Sequence, residues 1–125
     1  MLGRVLEAVD RHKDKSFAAG GVRARSLEAA VLSDADKLEA IGAIGVARAF
    51  SYGGLKRRAL WDGAPTVVPE TYVSGANGTT VQHFYDKLLR IRGDLATPTG
   101  RRMGDARHAF LEAFLREFFA ERDGR

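Results

Sequence analysis

Apolar residues recur at helical spacing in several stretches of this chain of 125 residues. The first stretch, Met1 to Lys13, mixes charged and apolar residues and predicts a short amphipathic helix. A loop is expected from Asp14 to Arg25. Ser26 can then cap a second helix, because its hydroxyl can accept a hydrogen bond from an orphan amide. The apolar pattern of this second helix continues to about Phe50. Its stripe contains Leu27, Val31, Leu38 and Ile41.

Two glycines interrupt the apolar part of this second helix. Gly42 and Gly45 each cost about 1 kcal/mol of helix stability relative to alanine, so a compensating feature is expected. Either the small side chains here let another helix approach closely, or the glycines separate two shorter helices. The sequence leaves both alternatives open.

Helical periodicity is lost between Ser51 and Thr80, where glycine and proline are frequent. A connection of about thirty residues is uncommon unless it is functional or disordered. Thr79 or Thr80 can cap the helix that follows, and Gly93 together with Pro98 marks its end. We therefore expect one long irregular loop in front of this helix.

The C-terminal stretch predicts one more helix, which we expect to be heavily buried. Its apolar face contains Met103, Phe110, Phe114 and Phe118, widened by Leu111, Leu115 and Phe119. No segment alternates convincingly with a period of two, the pattern of a half-buried strand. The predicted fold class is therefore all-α, with four to five helices in one domain that covers residues 1–125.

The amino-acid composition limits the chemistry that the chain can carry. There is no cysteine and there are three histidines, at positions 12, 83 and 108, so a metal would be held mostly by carboxylates. Lysine and arginine together number 20 against 16 acidic residues, a net charge of +4 that suits phosphate-bearing partners. No window resembles a membrane span or the apolar core of a signal peptide, so we expect a cytoplasmic protein.

An acidic cluster inside the second predicted helix is the most unusual feature of the sequence. Asp34 falls near the middle of the apolar stripe, whereas Asp36 lies on the opposite side of the helix. A buried carboxylate needs a metal ion, an arginine or amide donors beside it. The residues alone favour a structural explanation, in which Asp34 pairs with a basic side chain while Asp36 and Glu39 form a solvated face with Lys37. One helix offers too few ligands for a divalent ion by itself.

The run DADKLEAIGAIGVAR, from Asp34 to Arg48, resembles the DADrLdAiGAiGiaR helix of the small bacterial HD-domain phosphohydrolases. The segment QHFYDKLL, residues 82–89, is similar to the hFyeKLL helix of this family. Trp61–Gly63 and Arg107–Glu121 resemble its loop and its terminal helix. Ala8–Phe17 is similar to its aI..HSF segment, with three residues inserted. The resemblance covers most of the chain.

This resemblance implies an all-helical phosphohydrolase that holds a divalent metal, such as Mn²⁺ or Mg²⁺, with an H…HD…D ligand set. Such enzymes cleave phosphoester or phosphoanhydride bonds, often in nucleotides. The last aspartate of the motif corresponds to Asp36, which would be the catalytic residue and metal ligand. Asp34 would orient the ligand helix. The resemblance makes Lys37, Arg48 and His12 the phosphate contacts.

The chain departs from this family at the other three ligands. It contains no His-Asp dipeptide, because Lys13, Phe84 and Ala109 follow the three histidines. We therefore expect the C-terminal portion of such a domain, inactive alone unless the missing ligands are supplied. An initiation codon assigned too far downstream, a split gene and a degenerate paralogue remain open as explanations. A second copy or a complementing chain is accordingly an expected partner, beside a phosphorylated small molecule or nucleotide.

The alternative is a non-catalytic basic helical module that binds nucleic acid or a partner protein. Its candidate residues are the clusters Lys56–Arg58 and Arg101–Arg102, since phosphate contacts need only cations. These clusters are short and are not interleaved with stacking aromatic residues, as single-strand binders require. Nucleic acid is therefore not the partner we expect first. For His83 and His108, structural roles are favoured.

Overall fold

The computed structural model describes residues 26–66, 68, 69 and 78–125. Within this part of the chain there are four α-helices, one 3₁₀ helix and no strand, so the all-α prediction is confirmed. The α-helices are α1 (Leu27–Leu38), α2 (Gly42–Leu55), α3 (Thr80–Asp86) and α4 (Pro98–Arg122), and the 3₁₀ helix is Leu88–Asp94. The helix and loop predicted for residues 1–25, and with them His12, lie outside the described residues.

The acidic cluster and the glycine run lie on two helices rather than one. Helix α1 ends at Leu38, and Gly42 begins α2 with a φ of 78°, a conformation that favours glycine. A Cβ on Gly45 would overlap the backbone carbonyl of Ala40, so this glycine lets α2 pack closely against the turn that precedes it. Gly42 therefore marks the boundary between two helices, the second of the two alternatives above, whereas Gly45 lies inside α2 and permits a close approach.

Side-chain caps begin α1 and α3 as the sequence predicts. Ser26 Oγ accepts a hydrogen bond from the amide of Ala29 at 3.1 Å. Thr79, rather than its neighbour, caps α3, because its Oγ1 accepts from the amide of Gln82 at 3.1 Å. The helix that we expected to continue from here becomes a 3₁₀ helix after about two turns of α3.

The end of α2 reverses the chain at Arg57. This helix is longer than its pattern predicts and stops at Leu55. The amide of Arg57 donates to the carbonyl of Gly54 at 3.1 Å, and the amide of Arg58 donates to that of Gly53 at 2.8 Å. This pair of hydrogen bonds is the Schellman motif, in which the residue after the C-cap is usually glycine.

Arg57 occupies that position with a φ of 58°. We expect Arg57→Gly to raise the free energy of unfolding by about 0.5–1 kcal/mol, because the left-handed conformation costs an arginine more than a glycine. Urea denaturation measures the change. Lys56→Gly is the matched control, since Lys56 has a φ of −88° and gains nothing from glycine. A loss of stability in Arg57→Gly as large as in the control would contradict the prediction.

The core lies where α4 packs against α1, α2 and the 3₁₀ helix. Its largest fully buried side chains are Phe84, Ile41, Leu111 and Val81. The rings of Phe84 and Phe114 stack with their centroids 5.6 Å apart, and Phe50 tilts against both, at 5.8 and 5.7 Å. This aromatic cluster joins α2, α3 and α4.

Two predicted apolar faces are buried only in part. In α1, Leu38 is buried, but Leu27 and Val31 are 72% and 51% exposed. In α4, Met103 and Phe110 are exposed as well. The buried positions of α4 are Gly100, Gly104, His108, Leu111 and Leu115. The prediction is correct for the second half of α4, where Leu111 and Leu115 are buried and Phe114, Phe118 and Phe119 pack against the core. It is wrong for Met103 and Phe110, because periodicity counts apolar side chains, whereas two glycines let neighbouring groups approach the first half of α4.

Candidate functional site

Asp34 is buried where α1 faces the start of α4, with 3% of its surface exposed. Its carboxylate accepts hydrogen bonds from the amide of Ala96 at 2.8 Å and from the amide and hydroxyl of Thr97 at 2.8 and 2.6 Å. The hydroxyl of Thr97 also accepts from the amide of Gly100 at 3.0 Å, which caps α4. The sequence predicted that a basic side chain would pair with Asp34. In the structure, backbone amides and a hydroxyl group are its hydrogen-bond donors instead.

These donors keep Asp34 ionised. Burial by itself raises the pKa of this carboxyl group, but the hydrogen bonds from Ala96 and Thr97 and the charge of Lys37 outweigh burial, so the pKa lies below its ordinary value. Asp34 is therefore a fixed negative charge at neutral pH. The orienting role that the resemblance implies for Asp34 stays a prediction.

Gly100 makes room for this carboxylate. A Cβ at this position would overlap Oδ2 of Asp34 and would lie 2.9 Å from Oγ1 of Thr97. Neither Thr97 nor Gly100 was predicted from the sequence. A signal for Thr97 exists, since a threonine directly before Pro98 is a typical helix start. No local signal identifies Gly100, because the group that approaches it comes from α1.

Asp36 and Lys37 follow Asp34 on the last turns of α1. Asp36 is exposed and Lys37 is half-buried. The Nζ of Lys37 donates to the backbone carbonyl of Asp94 at 2.9 Å, which joins α1 to the end of the 3₁₀ helix. The turn that carries Asp36 is therefore held on two sides, through the Asp34 carboxylate and through Lys37.

The described part of the chain contains no group of three or more His, Asp or Glu side chains placed to hold a metal ion. Asp36 offers one carboxylate, whereas divalent cations take several ligands. These residues do not fit a divalent metal without ligands from elsewhere. The role of Asp36 as metal ligand and catalytic residue therefore stays a prediction.

Arg48, the phosphate contact predicted on α2, lies beside Glu39. Its Nη1 is 3.2 Å from Oε2 of Glu39, and both side chains are largely exposed. Such an exposed pair contributes little to stability, so it leaves the guanidinium available to exchange partners at low cost. Glu39 is the C-cap of α1, whereas Arg48 lies inside α2, so the pair joins the two helices across the turn between them.

A groove of about 900 Å³ is lined by residues of α2, of α3 and of the segments that follow them. Arg48 and Tyr52 line it from α2, and Arg58 lines it from the segment after that helix. His83 and Lys87 line it from α3 and its C-cap. The groove thus combines three cations with a histidine and an aromatic ring. Among these residues, Arg48 is a phosphate contact predicted from the sequence, and Arg58 belongs to the basic cluster of the alternative function.

The pKa of His83 reflects the charges around this groove. Burial lowers this pKa, the positive charges of Lys87 and Arg58 lower it further, and Asp86 raises it. The result lies below the ordinary value for histidine, so His83 is neutral at neutral pH. Two cations from different segments therefore act on one side chain.

His108 and the Lys56–Arg58 cluster, the other candidates from the sequence, contact residues that are close to them along the chain. His108, for which a surface or a packing position was open, is buried, and its Nε2 lies 3.3 Å from Oε1 of Glu112. In the Lys56–Arg58 cluster, Nζ of Lys56 and Cζ of Arg58 lie 5.6 and 5.4 Å from the ring centroid of Tyr52. This cluster therefore has an aromatic neighbour that the sequence analysis overlooked.

The second basic cluster, Arg101–Arg102, makes hydrogen bonds around the start of α4. Arg101 Nε donates to the carbonyl of Leu95 at 3.2 Å, and Arg102 Nη2 donates to Oγ1 of Thr99 at 3.1 Å. These contacts stabilise the first turn of α4. They give no support to a nucleic-acid surface at this position.

Comparison with known proteins shows relatives that are about twice as long as this chain. No family model matches the chain. It is 34% identical over 117 residues to the uncharacterized protein YpgQ of Bacillus subtilis, an alignment that covers 91% of this chain and 49% of that protein. The chain therefore spans about half the length of this curated relative.

Solved structures show the same relationship. An HD-superfamily hydrolase from Bacillus thuringiensis is 36% identical, with a TM-score of 0.67 over 80% of this chain and 48% of that one. Bacillus subtilis YpgQ in complex with ADP is 34% identical, with a TM-score of 0.63 over 77% of this chain and 44% of that one. The described helices thus share the all-α fold of an HD-superfamily hydrolase. Among them, no helix is both long enough and apolar enough to span a bilayer.

Proposed function

We propose that this chain contributes to a metal-dependent phosphohydrolase that cleaves phosphoester or phosphoanhydride bonds, with nucleotides as the substrate class. The observation that carries this proposal is the buried Asp34 network, which fixes the turn of α1 that bears Asp36 and Lys37. The similarity to an HD-superfamily hydrolase and to a YpgQ structure that contains ADP supports the same reaction class.

In this proposal, Asp36 is the carboxylate that the chain supplies to a divalent metal such as Mn²⁺ or Mg²⁺. Asp34 positions the helix, and Lys37, Arg48 and His12 contact phosphate groups, where cations neutralise negative charge. The remaining ligands come from outside the described residues. We propose that residues 1–125 correspond to the C-terminal portion of such a domain, with the His and His-Asp ligands supplied by polypeptide outside the printed sequence or by a complementing chain.

We expect Mn²⁺ to bind the 125-residue chain weakly at Asp36, because one carboxylate is a poor site for a divalent ion. Paramagnetic broadening of backbone NMR signals locates even weak binding. Signals around Asp36 should broaden in the wild type and much less in Asp36→Asn. Asp105→Asn, which changes an exposed carboxylate of α4, is the matched control. Hydrolysis of ADP by the chain alone should not exceed that of Asp36→Asn.

Two results would contradict this assignment. One is broadening around Asp36 that persists undiminished in Asp36→Asn. The other is metal-dependent hydrolysis of ADP that Asp36→Asn leaves unchanged.

The alternative, a non-catalytic basic helical module, is favoured by one observation, the Tyr52 ring beside Lys56 and Arg58. Base stacking on aromatic rings beside cations is typical of single-strand binding. This cluster offers a single ring, whereas such proteins stack successive bases on several. The module therefore stays the second candidate.

A further inference from the structure

The last turn of α4 packs against the segment that follows α2, around the one tryptophan of the chain, Trp61. The guanidinium of Arg122 lies 3.9 Å from the centroid of the Trp61 ring, and the ring of Phe119 meets it edge-on at 4.9 Å. We propose that these three residues form a latch, through which the end of α4 holds the start of α3 in place. No metal or substrate takes part in this latch, so it is independent of the proposed function.

A short turn orients the ring of Trp61. Its Nε1 donates a hydrogen bond to the carbonyl of Ala64 at 3.1 Å, and the amide of Ala64 donates to Oδ1 of Asp62 at 2.9 Å. A Cβ on Gly63 would lie 3.6 Å from Nη2 of Arg122, so the guanidinium lies close to this turn as well as over the ring. A ring that is already ordered loses less conformational entropy when it makes a cation–π contact.

The two residues before the latch tryptophan complete the start of α3. The first four amides of a helix have no hydrogen-bond partner within it. In α3, the amide of Thr80 donates to the carbonyl of Ala59 at 3.0 Å. The amide of Val81 donates to the carbonyl of Leu60, also at 3.0 Å. Thr79, the N-cap, accepts from the other two amides. Half of the hydrogen bonds at the start of α3 thus depend on the segment in front of the latch.

The latch fixes the position of these two carbonyl groups. Thr80 and Val81 are buried, so an amide that lost its acceptor here would not readily find water. The side chains of Ala59 and Leu60 are exposed and hold the segment only weakly. Since Leu60 is bonded directly to Trp61, the packing of the indole ring determines where the segment lies.

The latch can open without exposing the core. Arg122 is the last residue of α4, and its side chain is 49% exposed. Its Nη1 also lies 3.4 Å from Oδ1 of Asp123, a carboxylate that remains available when the guanidinium leaves the ring. Opening at a helix end costs less free energy than global unfolding. Because Thr80 and His83 line the groove from α3, an open latch would alter one wall of that groove.

Hydrogen exchange measured by NMR at the amides of Thr80 and Val81 tests the latch. In Arg122→Ala, both amides should exchange about fivefold faster than in the wild type, because loss of the cation–π contact favours the open form. Arg122→Lys should keep part of the protection, since it retains a positive charge. Arg116→Ala, which removes another exposed arginine of α4, is the matched control and should stay within about twofold of the wild type.

Ser26→Ala distinguishes a local latch from a general loss of stability. This substitution removes the cap of α1 and lowers the stability of the whole domain by a comparable amount. It should leave the exchange of Thr80 and Val81 unchanged if these amides open with the latch. Equal acceleration in Ser26→Ala and Arg122→Ala would overturn the proposal, and so would unchanged exchange in Arg122→Ala.

Tryptophan fluorescence reports the closed latch directly, because Trp61 has no other tryptophan beside it in the chain. The emission maximum should move to longer wavelength in Arg122→Ala, since more water then reaches the ring, and should stay unchanged in Arg116→Ala. Circular dichroism verifies that each variant is folded. If Arg122→Ala does not fold, Arg122→Lys takes its place in both measurements. Emission that is the same in the folded variant and the wild type would show that the guanidinium does not cover the ring, and the proposal would be wrong.

Discussion

Asp34→Ala is expected to lower the free energy of unfolding by about 3–4 kcal/mol. The substitution removes the carboxylate that accepts three hydrogen bonds. The donors that lose this acceptor are the amides of Ala96 and Thr97 and the hydroxyl of Thr97. Buried donors without partners cost the most, because they keep the penalty of leaving water. Native domains are stable by only about 5–15 kcal/mol, so the loss is severe. Urea denaturation at pH 7 measures it.

The pH dependence of stability identifies the charge of Asp34 as the cause. The pKa of Asp34 is lowered in the folded state, so the stabilisation is fully present above its ordinary value of 3.8 and is lost as the pH falls through the folded-state pKa. Asp34→Asn should be destabilised at pH 7 and should lack this component of the acid-induced loss. Asp105→Asn, on the exposed side of α4, should change stability by less than about 0.5 kcal/mol. A variant Asp34→Ala as stable as this control would refute the account.

Gly45→Ala is expected to lower the free energy of unfolding by about 3 kcal/mol, although alanine ordinarily stabilises a helix. The new Cβ would overlap the carbonyl carbon and oxygen of Ala40. A backbone group cannot rotate away as a side chain can, so the turn between α1 and α2 would have to shift. Differential scanning calorimetry measures the change in melting temperature.

Gly54→Ala provides the control within the same helix. Apart from the neighbouring residues and the backbone of α2 itself, no heavy atom lies within 4 Å of the position that a Cβ on Gly54 would occupy. This substitution should stabilise the protein by about 0.5–1 kcal/mol through helix propensity and a less flexible unfolded chain. Opposite signs at two glycines of one helix are the expected pattern. Stabilisation by both substitutions would rule out the close contact at Gly45.

Local features of the sequence predicted the all-α fold and the starts of α1 and α3. Ser26 and Thr79 act as caps because a cap depends on residues three positions away, and the apolar stripes sufficed to give an all-α fold. The stripe even predicted that Asp34 would be buried. Its partners were not predictable, because Ala96 and Thr97 lie 62 and 63 positions further along the chain.

Glycines account for most of the errors in the fold. Hydrophobic periodicity assigned the buried face of α4 to its phenylalanines, but Gly100 and Gly104 are also buried and admit groups from other elements. A glycine adds nothing to a hydrophobic pattern, because it has no side chain. Where a neighbouring element packs closely against a glycine, however, the glycine determines which face of the helix is buried. Such a contact is visible only in the three-dimensional structure.

The candidate site was predictable to a smaller extent than the fold. The structure places Asp36 and Lys37 on a firmly held turn, but their functional roles still rest on resemblance and proposal. The groove residues Tyr52, Arg58 and Lys87 were missed as a group because they come from separate segments. The sequence did contain the Lys56–Arg58 cluster, which was interpreted as part of a different function.

The double role of Thr97 affects how this protein folds. Its hydroxyl caps a helix of 25 residues and, at the same time, donates to a carboxylate more than sixty positions earlier. An isolated α4 would therefore begin with an incomplete hydrogen-bond arrangement at its first turn. Packing of α1 against α4 completes this arrangement, because the Asp34 carboxylate then accepts the hydrogen bond of the Thr97 hydroxyl. The start of α4 and its contact with α1 therefore stabilise one another. Formation of the last helix and assembly of the bundle should consequently occur as one cooperative step.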